Sequence, residues 1–450
     1  MKPFLCLKNI DTVATDESGK TELMHGVDIL IDRGSGIIEK IAAKIPDEDK
    51  IEKINLYEGK LVLPGFIDPH VHFRYPGKDI AENWNSGSLA ALFAGVTTVL
   101  DMPNTSPPTV NEEGLRIKLD HIEKESFINY GLFGGLTRNN LEFLLKTDEI
   151  KAVKIYLAST TGDLLIEKMP ALQNKMTDKV FTFHAEDETI IRNNRDKNGP
   201  LKNPWEHSSI RSEEAAISAT KRVIELSKTF DLKFHIAHVT TDREVELLQS
   251  VNSSRITFEV APHHMYKNTD DYKVGAYQWK CNPPLRSPAT SQRLRECLHN
   301  GEIPMIATDH APHPMSAKTV TDAEPASGVP SLEVGTHLVL SDLAKGKLTE
   351  VQAANVLSAN AANLFSIQKR GKIQTGNFAD LAIVDLQQTW TFNQDDVQSA
   401  CGWSPFVGDT FDAKVVATFV NGVGYRSAEL KKFSNLSQTG QKRTGTVYRV

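Results

Sequence analysis

From about residue 58 to about residue 365 this chain of 450 residues alternates short apolar strands with longer helical stretches. Ala152 to Leu157, Val180 to Phe183, Phe234 to Val239 and Pro304 to Thr308 read as strands. Glu213 to Lys228 and Arg243 to Ser250 read as helices between them. Strand then helix, repeated over such a length, is the signature of a parallel α/β architecture, and a (β/α)8 TIM-like barrel is its most economical form.

The two ends follow another pattern. Residues 1–57 read as short strands with polar turns: Val27 to Ile31 alternates, Gly34-Ser35-Gly36 turns, and Ile37 to Ile41 returns. Thr349-x-x-Gln352 forms a capping box that opens a helix through about Leu364. In 366–450 the strands resume with Asp380 to Asp385 and Val415 to Val420, so the ends are expected to pair into one small β domain beside the 58–365 barrel. The segment from Ala311 to Ser331 has no periodicity and follows a candidate site residue, as a lid would.

Composition narrows the partners. A net charge of −6 with no basic stripe argues against nucleic acid. No apolar run reaches the roughly 18 residues that a membrane span needs, and the stretch from Met1 to Lys8 is too short for a signal peptide. Cys6, Cys281, Cys297 and Cys401 are scattered, as in a reduced compartment. A cytoplasmic protein without a membrane partner is expected.

The chemistry lies at the strand ends. An apolar run, Leu61 to Ile67, reads as a buried strand that leads into Asp68-Pro69-His70-Val71-His72-Phe73-Arg74-Tyr75-Pro76-Gly77. Side chains two apart on a strand share a face, so His70 and His72 can hold one ion, with Arg74 just beyond as a planar cation for an anionic substrate. Lys154 points away from the apolar face of its strand. It either reaches water or, turned inward, escapes desolvation by forming a carbamate with carbon dioxide. One strand ends in His184 and another in Asp309, while Phe234 to His238 offers His235 and His238, between which strand parity does not choose. These donors suit Zn²⁺ first, with Mn²⁺ or Co²⁺ as substitutes. Two such ions, about 3.5–4 Å apart, would share a bridging hydroxide and polarise a carbonyl, which is metal-assisted hydrolysis of an amide or cyclic imide. Asp309 is the expected proton carrier.

With these residues in view, the chain resembles the dihydroorotases of the amidohydrolase superfamily along nearly its whole length. Gly59 to Asp68 and Gly376 to Leu381 recur across many amidohydrolases. More specific are Asp-x-His-x-His-x-Arg-x-Pro-Gly at 68–77, Asp101-Met102-Pro103-Asn104-Thr105, Asn282-Pro283-Pro284-Leu285-Arg286 and Thr308-Asp309-His310-Ala311-Pro312-His313. The resemblance implies a barrel with a β-sandwich built from both termini. It implies that His70, His72 and Asp309 hold a first zinc, that His184 and His238 (rather than His235) hold a second, and that carboxylated Lys154 bridges them. Some bacterial relatives have an aspartate near this position instead. It further implies that Arg74, Asn104 and Asn282 grip the substrate carboxylate and ring edge, with His313 and the backbone of Gly328 also in contact. Many relatives have a glycine where this chain has Ser331.

The activity so implied is the reversible cyclisation of N-carbamoyl-L-aspartate to L-dihydroorotate in pyrimidine synthesis, by a homo-oligomer. Allantoinases and hydantoinases share the metal set, and Arg74 is what separates this chain from them. A non-catalytic scaffold for aspartate transcarbamoylase is the reading from another class, but such chains usually have gaps in the metal set and this one has none. Association with aspartate transcarbamoylase alongside activity is compatible with the sequence.

Overall fold

The computed structural model describes residues 2–56, 59–166, 172, 177–251, 253–321, 323–433 and 448–450. Seven parallel strands form a curled sheet: β1 (Phe66–Val71), β2 (Val96–Asp101), β3 (Asn129–Gly135), β4 (Ile150–Tyr156), β5 (Val180–His184), β6 (Lys233–Ile236) and β7 (Ile256–Phe258). Each is paired with the next in chain order, and helices such as Glu112–Glu125, Glu213–Thr229 and Asp242–Ser250 lie between them. The strands are buried on both faces, the condition under which a sheet reads as continuous apolar runs.

The eighth position departs from the expected strand over Pro304 to Thr308. Isolated parallel bridges, Val260 to Ile306 and Val71 to His310, close the barrel there instead of a regular ladder. Side chains take over the backbone groups. Thr308 N–H donates to Asp68 Oδ1 at 3.0 Å, and His310 N–H to Thr308 Oγ1 at 3.1 Å. Asp68, whose carboxyl is pushed up to about 6 by burial, thus supports the closure beside backbone bonds such as Ala307 N–H to Val260 O at 3.2 Å and His72 N–H to His310 O at 2.8 Å.

The chain ends build a second sheet of eight strands. Its spatial order is Val423–Arg426, Lys414–Val420, Leu381–Asp385, Lys60–Pro64, Phe4–Thr15, Thr21–Asp32 and Ile38–Ala42, with Ile51–Asn55 also paired to Phe4–Thr15. Val27, Ile29 and Ile31 alternate into its core with Leu5, Leu7, Leu381 and Ile383. The apolar run Leu61 to Ile67 thus serves two sheets rather than one strand. Gly65 N–H donates to Asp380 O at 2.7 Å and Phe66 N–H to Gly95 O at 2.9 Å, so consecutive amides face different sheets. A Cβ at Gly65 would stand 2.4 Å from Thr97 Cγ2 and 2.9 Å from the Asp380 carbonyl carbon, which only glycine avoids. Asp380 joins both units, accepting from Arg370 Nη1 and Asn129 Nδ2.

The Thr349–Gln352 capping box is present, and the helix it opens runs through Glu350–Ala354, a π turn at Asn355–Ala359 and Asn360–Leu364. The segment 311–331 contains one short helix, Met315–Lys318. Lys318, wholly buried, donates to Lys280 O, Ala326 O and Gly328 O. Lys280 donates back to Glu324 Oε1, Pro325 O and Ser327 Oγ, so two ammonium groups fasten this segment to its neighbour. No helix among the described residues is long and apolar enough to cross a membrane.

Candidate active site

At the carboxyl end of the barrel, four imidazoles form a chain across the strand mouths. Ring centroids step 5.4 Å from His72 to His70, 5.3 Å from His70 to His238 and 4.7 Å from His238 to His184. His70 Nε2 and His72 Nε2 both face Asp309 Oδ1, at 3.3 and 3.2 Å. One ligand atom from each of these three residues lies within 4.8 Å of the others. Lys154 Nζ is 3.5 Å from His70 Nε2, and His184 Nδ1 faces His238 Nε2 at 2.9 Å. The donor atoms from β1, β4, β5, the turn after β6 and the eighth segment therefore converge.

His70, His72 and His184 are each oriented through their other ring nitrogen, whereas His238 Nδ1 has no partner among the described residues. His70 Nδ1–H donates to Glu259 Oε1, and His235 Nε2–H reaches Glu259 Oε2 at 3.1 Å. His72 Nδ1–H donates to Asn104 Oδ1 at 2.7 Å, and His184 Nε2–H to Glu186 Oε2 at 2.9 Å. Arg211 binds the same Glu186 oxygen. Burial pushes His72 down to about 3 and holds His184 and His238 below the usual imidazole range, which leaves lone pairs free for a cation. Burial opposes ionisation of Asp309, but His70 and then His72 hold it well below the usual carboxylate range. Burial also draws Lys154 down to about 8 against the pull of Glu259 and Asp309. A buried N/O donor set of this kind fits a divalent metal.

Backbone geometry helps to aim these groups. Arg74 (φ 59°), His238 (φ 39°) and Asp309 (φ 46°) all lie in the left-handed region. Non-glycine residues are held there at a cost of about 1–3 kcal/mol each, and they cluster at functional sites.

The wall of the cavity includes His70, His72, Arg74, Asn104, Lys154, Tyr156, His184, His238, Asn282, Asp309 and Gly328. Arg74 Nε donates to Pro312 O at 3.0 Å and Nη2 lies 3.1 Å from His313 Nε2, while Nη1 is buried with no partner among the described residues. His313 stands behind Arg74 rather than on the wall and also lies 3.0 Å from Ser327 O. Asn104 and Asn282 are on the wall but already bonded: Asn104 Nδ2 to Thr161 O at 2.9 Å, and Asn282 Oδ1 from His207 Nε2 at 2.9 Å. At Gly328 (φ 147°) a Cβ would meet Ala311 O at 2.2 Å.

A family model described as the amidohydrolase family matches residues 61–424. A dihydroorotase of Halobacterium salinarum is 36% identical over 356 residues, 77% of this chain and 82% of that protein. A dihydroorotase of Methanosphaera stadtmanae is 30% identical over 402 residues, 88% of this chain and 92% of that protein. The chain belongs to the amidohydrolase family, among the dihydroorotases. Among solved structures, the L-hydantoinase of Arthrobacter aurescens superposes on this amidohydrolase with a TM-score of 0.82 at 26% identity, covering 93% of this chain and 95% of that one. The dihydropyrimidinase of Brevibacillus agri, at 22% identity and a TM-score of 0.85 over 99% and 98%, shares the fold.

Sequence reading did not find Glu259, Glu186 or Arg211 in this amidohydrolase. Glu259 follows the short strand β7 without any motif, and its partner His70 is 189 residues away. The His184-Ala185-Glu186 spacing was the one available signal. Because Glu259 fixes the His70 tautomer, Glu259→Gln is expected to weaken divalent-metal affinity about 10–100-fold. Titration against a competing chelator checks this, and unchanged affinity would remove Glu259 from the site.

Proposed function

We propose that this amidohydrolase interconverts N-carbamoyl-L-aspartate and L-dihydroorotate. The single observation that carries the substrate assignment is Arg74 Nη1. It is a buried guanidinium nitrogen with no partner among the described residues, and Arg74 lines the same cavity as His70, His72 and Asp309. A planar cation there suits a substrate with a fixed carboxylate. Burial draws Arg74 down to about 10, which still leaves it charged at neutral pH.

In this reading His70, His72 and Asp309 would hold one Zn²⁺ and His184 and His238 another, with Lys154, as a carbamate, completing the donor set. Bound there, the ions supply Lewis acidity to the ring carbonyl and ease deprotonation of the attacking water. Arg74 would orient the substrate carboxylate, turning the distant carbonyl toward His70, His72 and Asp309. Asp309 accepts the water proton and returns it to the departing ring nitrogen, and it reverses these transfers on cyclisation. Segment 311–331 contributes Ala311, Ser327 and Gly328 to the cavity wall. Residues 58–365 carry the chemistry in this reading, with 1–57 and 366–450 as its support.

The deciding experiment is turnover by purified, zinc-supplemented protein with carbamoyl aspartate, dihydroorotate, hydantoin and allantoin side by side. Preference for the first two supports the assignment. Preference for hydantoin or allantoin moves it elsewhere in the family, and no turnover of any of the four favours a scaffold. The lysine reading has its own test. Zinc reconstitution of stripped protein in bicarbonate buffer is expected to recover severalfold more activity than in buffer freed of carbon dioxide. Equal recovery would exclude the carbamate.

A further inference from the structure

Outside the catalytic set, the short helix Pro262–Tyr266 after β7 carries two adjacent histidines, His263 and His264, that meet the thiol of Cys281. One ligand atom from each lies within 4.8 Å of the other two. The rings are tilted by 54° with centroids 4.3 Å apart. Both histidines are 0% exposed and Cys281 is 1% exposed. None of the four ring nitrogens has a hydrogen-bond partner among the described residues. Buried polar atoms are rarely left unpaired, and four in one place indicate a partner that is not a protein group.

The donor types fix the class of that partner. Two imidazoles and a thiol suit a borderline or soft ion, whereas Mg²⁺ and Ca²⁺ require oxygen ligands. The Arg286 guanidinium acts electrostatically on both His264 and Cys281, as do the Asp309 and Glu186 carboxylates. A thiolate formed on binding, its proton passing to solvent, would further offset the arginine charge.

We propose that His263, His264 and Cys281 bind a Zn²⁺ ion of their own, with a water in the fourth position. The site shares no residue with the catalytic cluster and does not depend on the proposed activity. It ties the turn after β7 to segment 280–282, whose Asn282 lines the catalytic cavity.

Cobalt tests this directly, because no residue of the catalytic set contains sulfur. Stripped full-length protein is loaded with Co²⁺ and its near-ultraviolet spectrum recorded. A thiolate-to-cobalt charge-transfer band is expected in the wild type. Cys281→Ser is expected to abolish it and to bind one cobalt fewer per chain. His264→Gln, a second variant should the first not fold, is expected to weaken and shift the band. Absence of the band in the wild type overturns the proposal without any variant, as does its full retention in Cys281→Ser or an unchanged band in His264→Gln. Loss of turnover on carbamoyl aspartate would leave the sulfur band where it is, so the two readings fail separately.

Discussion

Asp309→Asn is expected to lower kcat by about 10²–10⁴-fold in both reaction directions, the range spanned by a positioned acid–base group. The amide has the carboxylate's shape and keeps its place between His70 Nε2 and His72 Nε2, but it carries no proton between water and the ring nitrogen. It also brings no negative charge to the ion held by those histidines, so metal content should fall along with rate. Steady-state kinetics in both directions, paired with elemental analysis of the same sample, separates the two losses. A kcat within threefold of wild type at full metal loading would show that another group moves the proton.

Arg74→Ala is expected to reduce kcat/KM on dihydroorotate roughly tenfold to 150-fold. A charge-assisted contact to a carboxylate is worth about 1.5–3 kcal/mol, and each 1.36 kcal/mol is about tenfold in rate. Metal content should not change, because no Arg74 nitrogen faces the histidine cluster closely enough to be hydrogen-bonded to it; its partners are Pro312 O and His313. Lysine should restore little, since an ammonium has no planar fork to place Nη1 and its neighbour on two oxygens. An Arg74→Ala enzyme that handles dihydroorotate normally would withdraw the carboxylate argument and return hydantoins and allantoin to contention.

The barrel and most of its convergent donors were legible in the sequence because they follow simple periods. His70 lies in β1 and His72 one residue past its end, both turned toward Asp309, and His184 ends an apolar run. The His235 and His238 ambiguity had a physical cause. β6 stops at Ile236, and His238 lies beyond it at positive φ, where strand alternation no longer governs direction. His235 remains in the strand and points to Glu259 instead. The double service of Leu61 to Ile67 was hidden because one apolar run gives no sign that its amides change partners at Gly65. Glu259 and the His263/His264/Cys281 group come together only through tertiary packing, and no local pattern announces them.

The two lysine fasteners of segment 311–331 have a consequence for its resistance to proteolysis. Lys318 lies wholly inside, bonded to three carbonyls, so the peptide bond after it is expected to resist trypsin in the folded enzyme. Cleavage at that bond requires those three contacts to open, and a substrate bound against Ala311, Ser327 and Gly328 is expected to slow the cut, which a timed digestion with and without it would read.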